Sequence, residues 1–505
     1  MASRPTSNPA SAVDSAPDAD RDVAHSAGRW LALVAIAASV LVVGLDLTVL
    51  NLALPNMAVS LHASTGDLQW IVDAYSLVLA ALILPAGLLG DRYGRKRMLL
   101  VALVLFGASS AACAYATSTG ELVAARAVLG IGAAAIFPLA LSVLPVLFTP
   151  EERPKAVAAI AGSTMLSFPI GPIVGGYLLS HFWWGSVFLI NVPIVVIALV
   201  AVVVLLPEAR SARRPSIDRR GLVVSTVGLV ALTDGFITAG QDGWSDATAV
   251  ALIAAGVVVL ALLPVVERRV AAGGGQPLAD LPLFRSAGFR WGTILATTVS
   301  FAMFGLFFAL PQYFQDIRGA SPLGSGLRLL PMVAGMLVGM VAGTRLKAPR
   351  IAITSGYLLM AAAMALGALT TLGSSTGYTI AWVALAGLGL GLVMPSAMSV
   401  ALGALSAERS GVGSALLTAL RQVGATVGVA ILGTVISNAY SSGVAGATAG
   451  LPAQAAAAVR SSVGAGVAVA GKLGSTSLAD TIRTAFIHGM DLMLWTCGGI
   501  ALACA

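Results

Sequence analysis

The sequence predicts an all-α integral membrane protein with fourteen transmembrane helices. Three observations carry that prediction. Fourteen stretches are apolar for about 20 residues or more, the length an α-helix needs to cross about 30 Å of hydrocarbon. Hydrophobic residues make up 58% of the 505 and charged ones only 10%, with a mean hydropathy of +0.92. That is more apolar surface than a soluble core of this length can hide. Most of the charge sits in the short links between the apolar stretches. In lipid the backbone must satisfy its own hydrogen bonds, so the spans are helices, and the alternating segments of about 10 residues that a β-barrel needs are missing.

Taken in order, the spans fall near 30–56, 68–89, 98–117, 120–147, 156–181, 184–206, 220–240, 247–267, 289–314, 322–345, 350–372, 378–403, 410–440 and 484–505. Residues 1–29, rich in Ala, Ser, Pro and Asp, read as a disordered tail without the apolar core of a secretory signal. The longest charged links, 207–219 and 268–288, bracket the seventh and eighth spans. The chain therefore divides into a six-helix bundle over 30–206, an inserted pair with its linkers over 207–288, and a second six-helix bundle over 289–505. Segment 441–483 reads as a long external loop holding a short surface helix or nothing ordered. The last span reaches Ala505 with no basic stop behind it, so either the tail is short or the sequence is truncated.

Orientation follows from lysine and arginine. With the N-terminus cytoplasmic, nineteen of the 29 fall in cytoplasmic links and four (Arg318, Arg460, Lys472 and Arg483) in external ones. Fourteen spans return the C-terminus to the same side. The net charge of +7 is thus a topology signal, and nucleic-acid binding is excluded as its explanation. Cys113, Cys497 and Cys504 lie within spans and the four histidines are far apart, so neither a disulfide framework nor a metal set is expected. GVAVAGKL at Gly466–Leu473 approaches a P-loop but has Leu473 where a Mg²⁺-holding Ser or Thr is needed.

Charges inside the spans are the candidate functional residues, because each costs at least about 2.5–3.5 kcal/mol at a helix centre. Asp46 lies about 16 residues, or about 24 Å, into the first span. Asp73 in the second span and Arg126 in the fourth sit at a similar depth, in the outer half of the first bundle. An Asp46–Arg126 pair would lower the cost of burial and could be broken by a proton. It is read either as a proton-coupling site or as a static strut. Asp73 is read either as a cation-recognising group or as a surface-level polar residue. Asp234 in the seventh span and Arg421 in the thirteenth are further substrate-contact candidates, and Asp491 reads as a peripheral packing or lipid-edge residue. Trp70, Tyr75, Gln312 and Tyr313, near external helix ends, are expected to act as interfacial anchors.

The link Gly87–Leu100 fits G-x-L-x-D-R-x-G-R-K-x-x-x-L, with Gly87, Asp91, Arg92, Gly94, Arg95 and Lys96 in the defining places. It resembles the loop between helices two and three of the major facilitator superfamily. LDLTVLNLALP (Leu45–Pro55) looks like the first-helix signature of the fourteen-helix drug:proton antiporters of that family. RAVLGIGAA (Arg126–Ala134) resembles the fourth-helix motif, with Leu129 where Gln is usual. GPIVGG resembles the fifth-helix antiporter motif, through Gly171, Pro172, Gly175 and Gly176. FLINVP (Phe188–Pro193), LFRSAGF (Leu283–Phe289), SPLGSGLRLLP (Ser321–Pro331) and RQVGATVG (Arg421–Gly428) extend the likeness along nearly the whole chain.

The resemblance implies a major facilitator fold of two six-helix bundles plus two inserted helices. It implies proton-coupled export of drugs, antibiotics or other amphiphilic small molecules across the cytoplasmic membrane, by a monomer with no cofactor beyond the proton gradient. A cationic cargo is one option, weakened by the absence of carboxylates from the thirteenth helix. The Gly87–Lys96 loop would be a gating latch and Gly171–Gly176 the exporter motif. A dedicated exporter of one natural product is the alternative. A membrane-bound enzyme or a sensor is disfavoured, since no His, Cys or carboxylate constellation and no soluble output domain is present.

Overall fold

A computed structural model of the chain describes residues 19–149, 151–206, 208, 218–273, 281–346, 348–405 and 410–505. Among these residues there is no strand. Seventeen helices are formed: α1 (Ala19–Ser60), α2 (Thr65–Tyr93), α3 (Arg95–Ala114), α4 (Thr119–Leu147), α5 (Arg153–His181), α6 (Ser186–Leu189), α7 (Asn191–Leu205), α8 (Arg219–Asp242), α9 (Ala247–Ala272), α10 (Ala287–Gln312), α11 (Pro322–Arg345), α12 (Pro349–Gly367), α13 (Thr376–Gly403), α14 (Ser410–Val444), α15 (Ala453–Ser461), α16 (Val463–Leu473) and α17 (Thr476–Cys504). Counting α6 and α7 as one broken helix, fourteen are long and apolar enough to cross a membrane. Fold class and number of spans are as the sequence predicts.

The ends are set by local chemistry. Ser64, Ser118, Asp218, Asp246, Ser286, Ser321, Ser375 and Ser475 each accept a hydrogen bond from the backbone of the following helix, meeting donors that a helix start leaves open. Gly94, at φ 110°, turns the chain from α2 directly into α3, in a region that only glycine enters freely.

Helices α1–α7 pack on one another, as do α10–α14 with α17. The two bundles meet mainly where α5 crosses α11 and where α2 crosses α14, with a smaller contact of α1 on α10. The inserted pair packs internally, and its first member, α8, fills the seam along α2 and α14. Thr434 donates to the carbonyl of Phe236 at 2.6 Å and Asn438 to that of Ala239 at 3.2 Å across this seam. Its second member, α9, faces outward over most of its surface.

The molecule has two ends. One, the basic end, carries the start of α1 and the α2–α3 link. At the other, the far end, the bundles are tied together. Gln69 of α2 donates to the carbonyls of Val429 and Ala430 in α14, at 3.2 and 2.9 Å. Gln315 donates to the carbonyl of Leu52 at 2.9 Å, and the amide of Leu323 to Ser180 at 3.2 Å. The closest α5–α11 approach is also there: a methyl at Gly326 would lie 2.2 Å from the carbonyl oxygen of Pro172, and one at Gly176 2.8 Å from Cα of Leu323.

Two expectations change. Residues 19–29 belong to α1, where Arg29 pairs with Glu152 at 3.0 Å and Trp30 packs edge-on against Phe148. These two contacts, with the residues that lead into α5, fix α1 where it enters the span, and residues 1–18 lie outside the described residues. Segment 441–483 is mostly helical: α14 runs on to Val444, α15 and α16 follow, and α17 begins at Thr476. Its alanine content explains this, since alanine has the highest helix propensity of any residue.

Candidate functional site

The site is built on α1, α2, α4 and the α6–α7 break. The sequence puts Asp46 about two-thirds of the way along α1 and Arg126 two turns into α4. The fold brings them together as a sealed ion pair, Arg126 Nη1 to Asp46 Oδ2 at 2.5 Å, with the residues 1% and 3% exposed. Two buried charges of opposite sign are tolerable in lipid only when they meet and their remaining hydrogen-bonding groups are satisfied. Arg126 Nε donates to the carbonyl of Ile71 at 3.0 Å. Its guanidinium lies 4.4 Å from the ring centre of Tyr75 and 5.9 Å from that of Phe188, a desolvated cation–π arrangement. On the carboxylate side Asn191 lies beside Asp46. Asn191 donates to Ser110 at 3.0 Å, and Ser110 donates to the carbonyl of Phe188 at 2.9 Å. The α6–α7 break thereby presents a side-chain amide to the pair.

Tyr75 and Asn191 had escaped the sequence reading as partners of the site. Tyr75 is fully buried rather than an interfacial anchor, because α2 begins at Thr65 and places it deep in the bundle. Gln312 and Tyr313 are likewise buried and are not interfacial anchors. Asn191 stood in the FLINVP stretch, where a polar residue inside an apolar run was a usable signal.

Asp46 is linked to the junction between the bundles. Thr48 and Val49, just beyond it on α1, pack against the glycines of α5. A methyl at Gly171 would lie 2.0 Å from Oγ1 of Thr48, and one at Gly175 2.7 Å from Cγ1 of Val49. The other side of the same α5 segment carries Pro172 and Gly176, which touch Gly326 and Leu323 of α11. The GPIVGG stretch is therefore a double contact, one face to α1 and one to the opposite bundle.

The remaining candidates are dispersed. Asp73 is 0% exposed, and neither carboxylate oxygen has a hydrogen-bond partner. It lies one turn below Gln69 on α2, so a surface-level role is overturned by its burial. Asp234 is half-buried on α8, beside the buried Thr233. Arg421 on α14 donates to the sulfur of Met398 at 3.5 Å, and its Nε has no partner. Asp491 on α17 is half-buried.

In the α2–α3 link, Arg95 donates to the carbonyl of Ser142 at 2.7 Å and Lys96 to that of Val203 at 2.8 Å. Both cations thus sit at helix C-terminal ends, where the helix dipole favours them, and these two bonds stay within the first bundle. Arg92 lies 5.5 Å from the ring centre of Tyr93, and Gly87 faces Pro138. The side chain of Asp91 lies outside the described residues. Among the described residues no group of three or more potential metal ligands occurs.

Two six-helix bundles with an inserted pair in the seam between them, and an ion pair sealed inside one bundle, are the arrangement of a membrane transporter. The sequence matches the family model of the Major Facilitator Superfamily over residues 36–429, and the chain belongs to that family, among its drug- and antibiotic-efflux members. It is 35% identical over 491 residues to the tetracenomycin C resistance and export protein of Streptomyces glaucescens, covering 94% of this chain and 90% of that one. It is 36% identical to the multidrug efflux pump LfrA of Mycolicibacterium smegmatis, covering 91% and 92%. It is 33% identical to the methyl viologen resistance protein SmvA of Salmonella typhimurium, covering 94% and 97%. Among solved structures, the fold is similar to a bacterial homologue of the human lysosomal transporter Spinster in an inward-facing, unoccupied conformation. The TM-score there is 0.67 at 16% identity, covering 94% of this chain and 96% of that one.

Proposed function

We propose that this exporter is driven by proton entry at Asp46, and that the Asp46–Arg126 pair is the coupling site. The observation that carries the reading is the contact chain from the pair to the gate: Asp46, then Thr48 and Val49, then Gly171 and Gly175, then Pro172 and Gly176 against α11. A proton on Asp46 removes the charge that holds Arg126 to α1. The α1–α4 contact weakens, α1 shifts on the α5 glycines, and the α5–α11 contact at the far end is released. Tyr75, Phe188 and the Ile71 carbonyl keep Arg126 accommodated while its partner is neutral. Each proton moving inward through 100 mV supplies about 2.3 kcal/mol before any pH gradient is counted, and no cofactor is required.

The basic end faces the cytoplasm in this reading, with both termini there. The conformer closed at the far end is then the one that loads cargo from inside. Asp73, Asp234 and Arg421 are the candidates for cargo contact. The cargo is an amphiphilic small molecule. Relatives named for one antibiotic and for many drugs make breadth the open variable between a general drug pump and a dedicated exporter. The working unit is the monomer.

The test is transport in proteoliposomes with an imposed proton gradient, using ethidium as probe and a pH dye inside. Wild type moves ethidium with a matching acid flux. Asp46→Asn, inserted normally, is expected to lose both. Gradient-driven ethidium movement by that variant at the wild-type rate would refute the assignment.

A further inference from the structure

The inserted pair carries a feature that the coupling scheme does not use. At the basic end, the first turn of α8 and the last turn of α9 enclose a pocket of about 500 Å³, open to the surface. It is lined by Arg219, Arg220 and Arg269 together with Val223, Val224 and Val266. The three arginines are exposed. No ion pair or hydrogen bond joins the guanidinium of any of the three to another of the described residues. The acidic groups nearby are Asp218 and Glu267, both buried behind Gly221. One oxygen of Asp218 is already committed to the amide of Gly221 at 2.9 Å. Arg268 adds a further exposed cation beside them, so the pocket keeps a positive excess.

Two aspects go beyond a general excess of cations at this end. First, Arg219 and Arg220 open α8, at the helix terminus where the backbone dipole disfavours positive charge. An anion between the two helix ends would offset that cost and accept paired hydrogen bonds from guanidinium groups. Second, the walls below the arginines are apolar and outward-facing. Val223 is 59% exposed and Val265 45%, followed deeper by Val227 and Leu262. Val223 lies about 6 Å deeper along the helix than Arg219, at 1.5 Å per residue. Cations at headgroup level above an exposed apolar groove match a molecule with an anionic head and an acyl tail, and basic pockets between helices at a membrane face take such headgroups.

We infer that the pocket between α8 and α9 binds the phosphodiester headgroup of an anionic phospholipid, with one acyl chain along Val223, Val227 and Val265. A zwitterionic lipid brings an ammonium group that the arginines repel. A bound lipid would fix the pair against the membrane plane, giving the two bundles a stationary flank on α2 and α14.

Native mass spectrometry of the full chain tests this, with phosphatidylglycerol or phosphatidylcholine added to the micelles. Wild type is expected to keep phosphatidylglycerol under conditions that strip phosphatidylcholine. R219Q/R220Q/R269Q should lower that retention about tenfold or more, while R285Q/R290Q/R345Q, which removes equal charge from the same end, leaves it unchanged. Equal losses in the two triple variants, or equal retention of the two lipids, would reduce the effect to general attraction and overturn the site. Millimolar inorganic phosphate is expected not to protect against thermal unfolding. Protection matching that by phosphatidylglycerol would make the occupant a soluble anion and the lipid assignment wrong. Should the triple variant not fold, R269Q alone must show a partial loss of selectivity.

Discussion

Removing Arg126 is the sharpest perturbation of the buried pair. In Arg126→Leu the carboxylate of Asp46 keeps only Asn191 beside it in a site 3% exposed. Breaking a buried pair from one side costs about 3–5 kcal/mol, because the other charge stays behind. Asp46→Asn should cost less. The guanidinium left behind still has the Ile71 carbonyl at 3.0 Å and the Tyr75 ring at 4.4 Å, and a desolvated cation–π contact is worth about 2 kcal/mol. The expected order of loss is therefore Arg126→Leu, then Asp46→Asn. The double variant, with no charge left, should lie well above the sum of the two, with a coupling of about 2 kcal/mol or more. Unfolding in mixed SDS micelles, followed by tryptophan fluorescence, gives the three values. Additivity of the single variants to within about 0.5 kcal/mol would show that the residues do not interact, and the coupling site would lose its basis.

Other variants probe the gate and the seam. Gly326→Leu puts a side chain where a methyl already falls 2.2 Å from the Pro172 carbonyl; it should force α5 from α11 and make a cysteine at the buried Ser325 reactive to maleimide. Unchanged labelling would count against that crossing as the gate. Gln69→Ala removes both bonds to α14 and should weaken far-end closure by about 1 kcal/mol per bond, read as a shift between open and closed populations by spin-label distances. Asp73→Leu removes a buried carboxyl with no partner and should leave the melting temperature unchanged or raise it, whereas a marked drop would mean that the carboxyl has a partner. Gly94→Ala strains a backbone at φ 110° and should cost about 1 kcal/mol or more, measurable as a lower melting temperature.

Much of the architecture was legible because lipid makes one demand, a long apolar helix, and fourteen runs met it. The Asp46–Arg126 pair was legible for a related reason: two charges at matching depth in neighbouring spans have few other ways to be tolerated. Tyr75 and Asn191 were not legible as partners of the pair: an uncharged polar residue in a span, such as Asn191 within FLINVP, marks itself but carries no penalty large enough to point to its partner. Asp73 shows the limit from the other side. Its depth could be read, but only packing reveals that α2 turns it away from any hydrogen-bond partner. The α15–α16 segment was legible only as a loop holding a short surface helix or nothing ordered, because hydropathy finds spans and these two helices are too short to be spans.

That segment has a mechanical consequence. It roofs the far end and is fastened to both bundles, though unequally. Tyr440 of α14 donates to the carbonyls of Val459 and Ser462, at 2.8 and 3.3 Å, and α16 packs on α17, whereas the first bundle holds it through one bond, from Thr65 to the carbonyl of Ser461 at 3.1 Å, and a lighter packing of α1 on α16. Covalent continuity with α14 and α17 adds to the heavier anchorage. In the proposed cycle, in which the bundles part at that end, the roof would stay seated on the second and uncover the first. An antibody raised against α15–α16 would therefore ride on one half of the machine throughout its cycle, reporting its swing without clamping it.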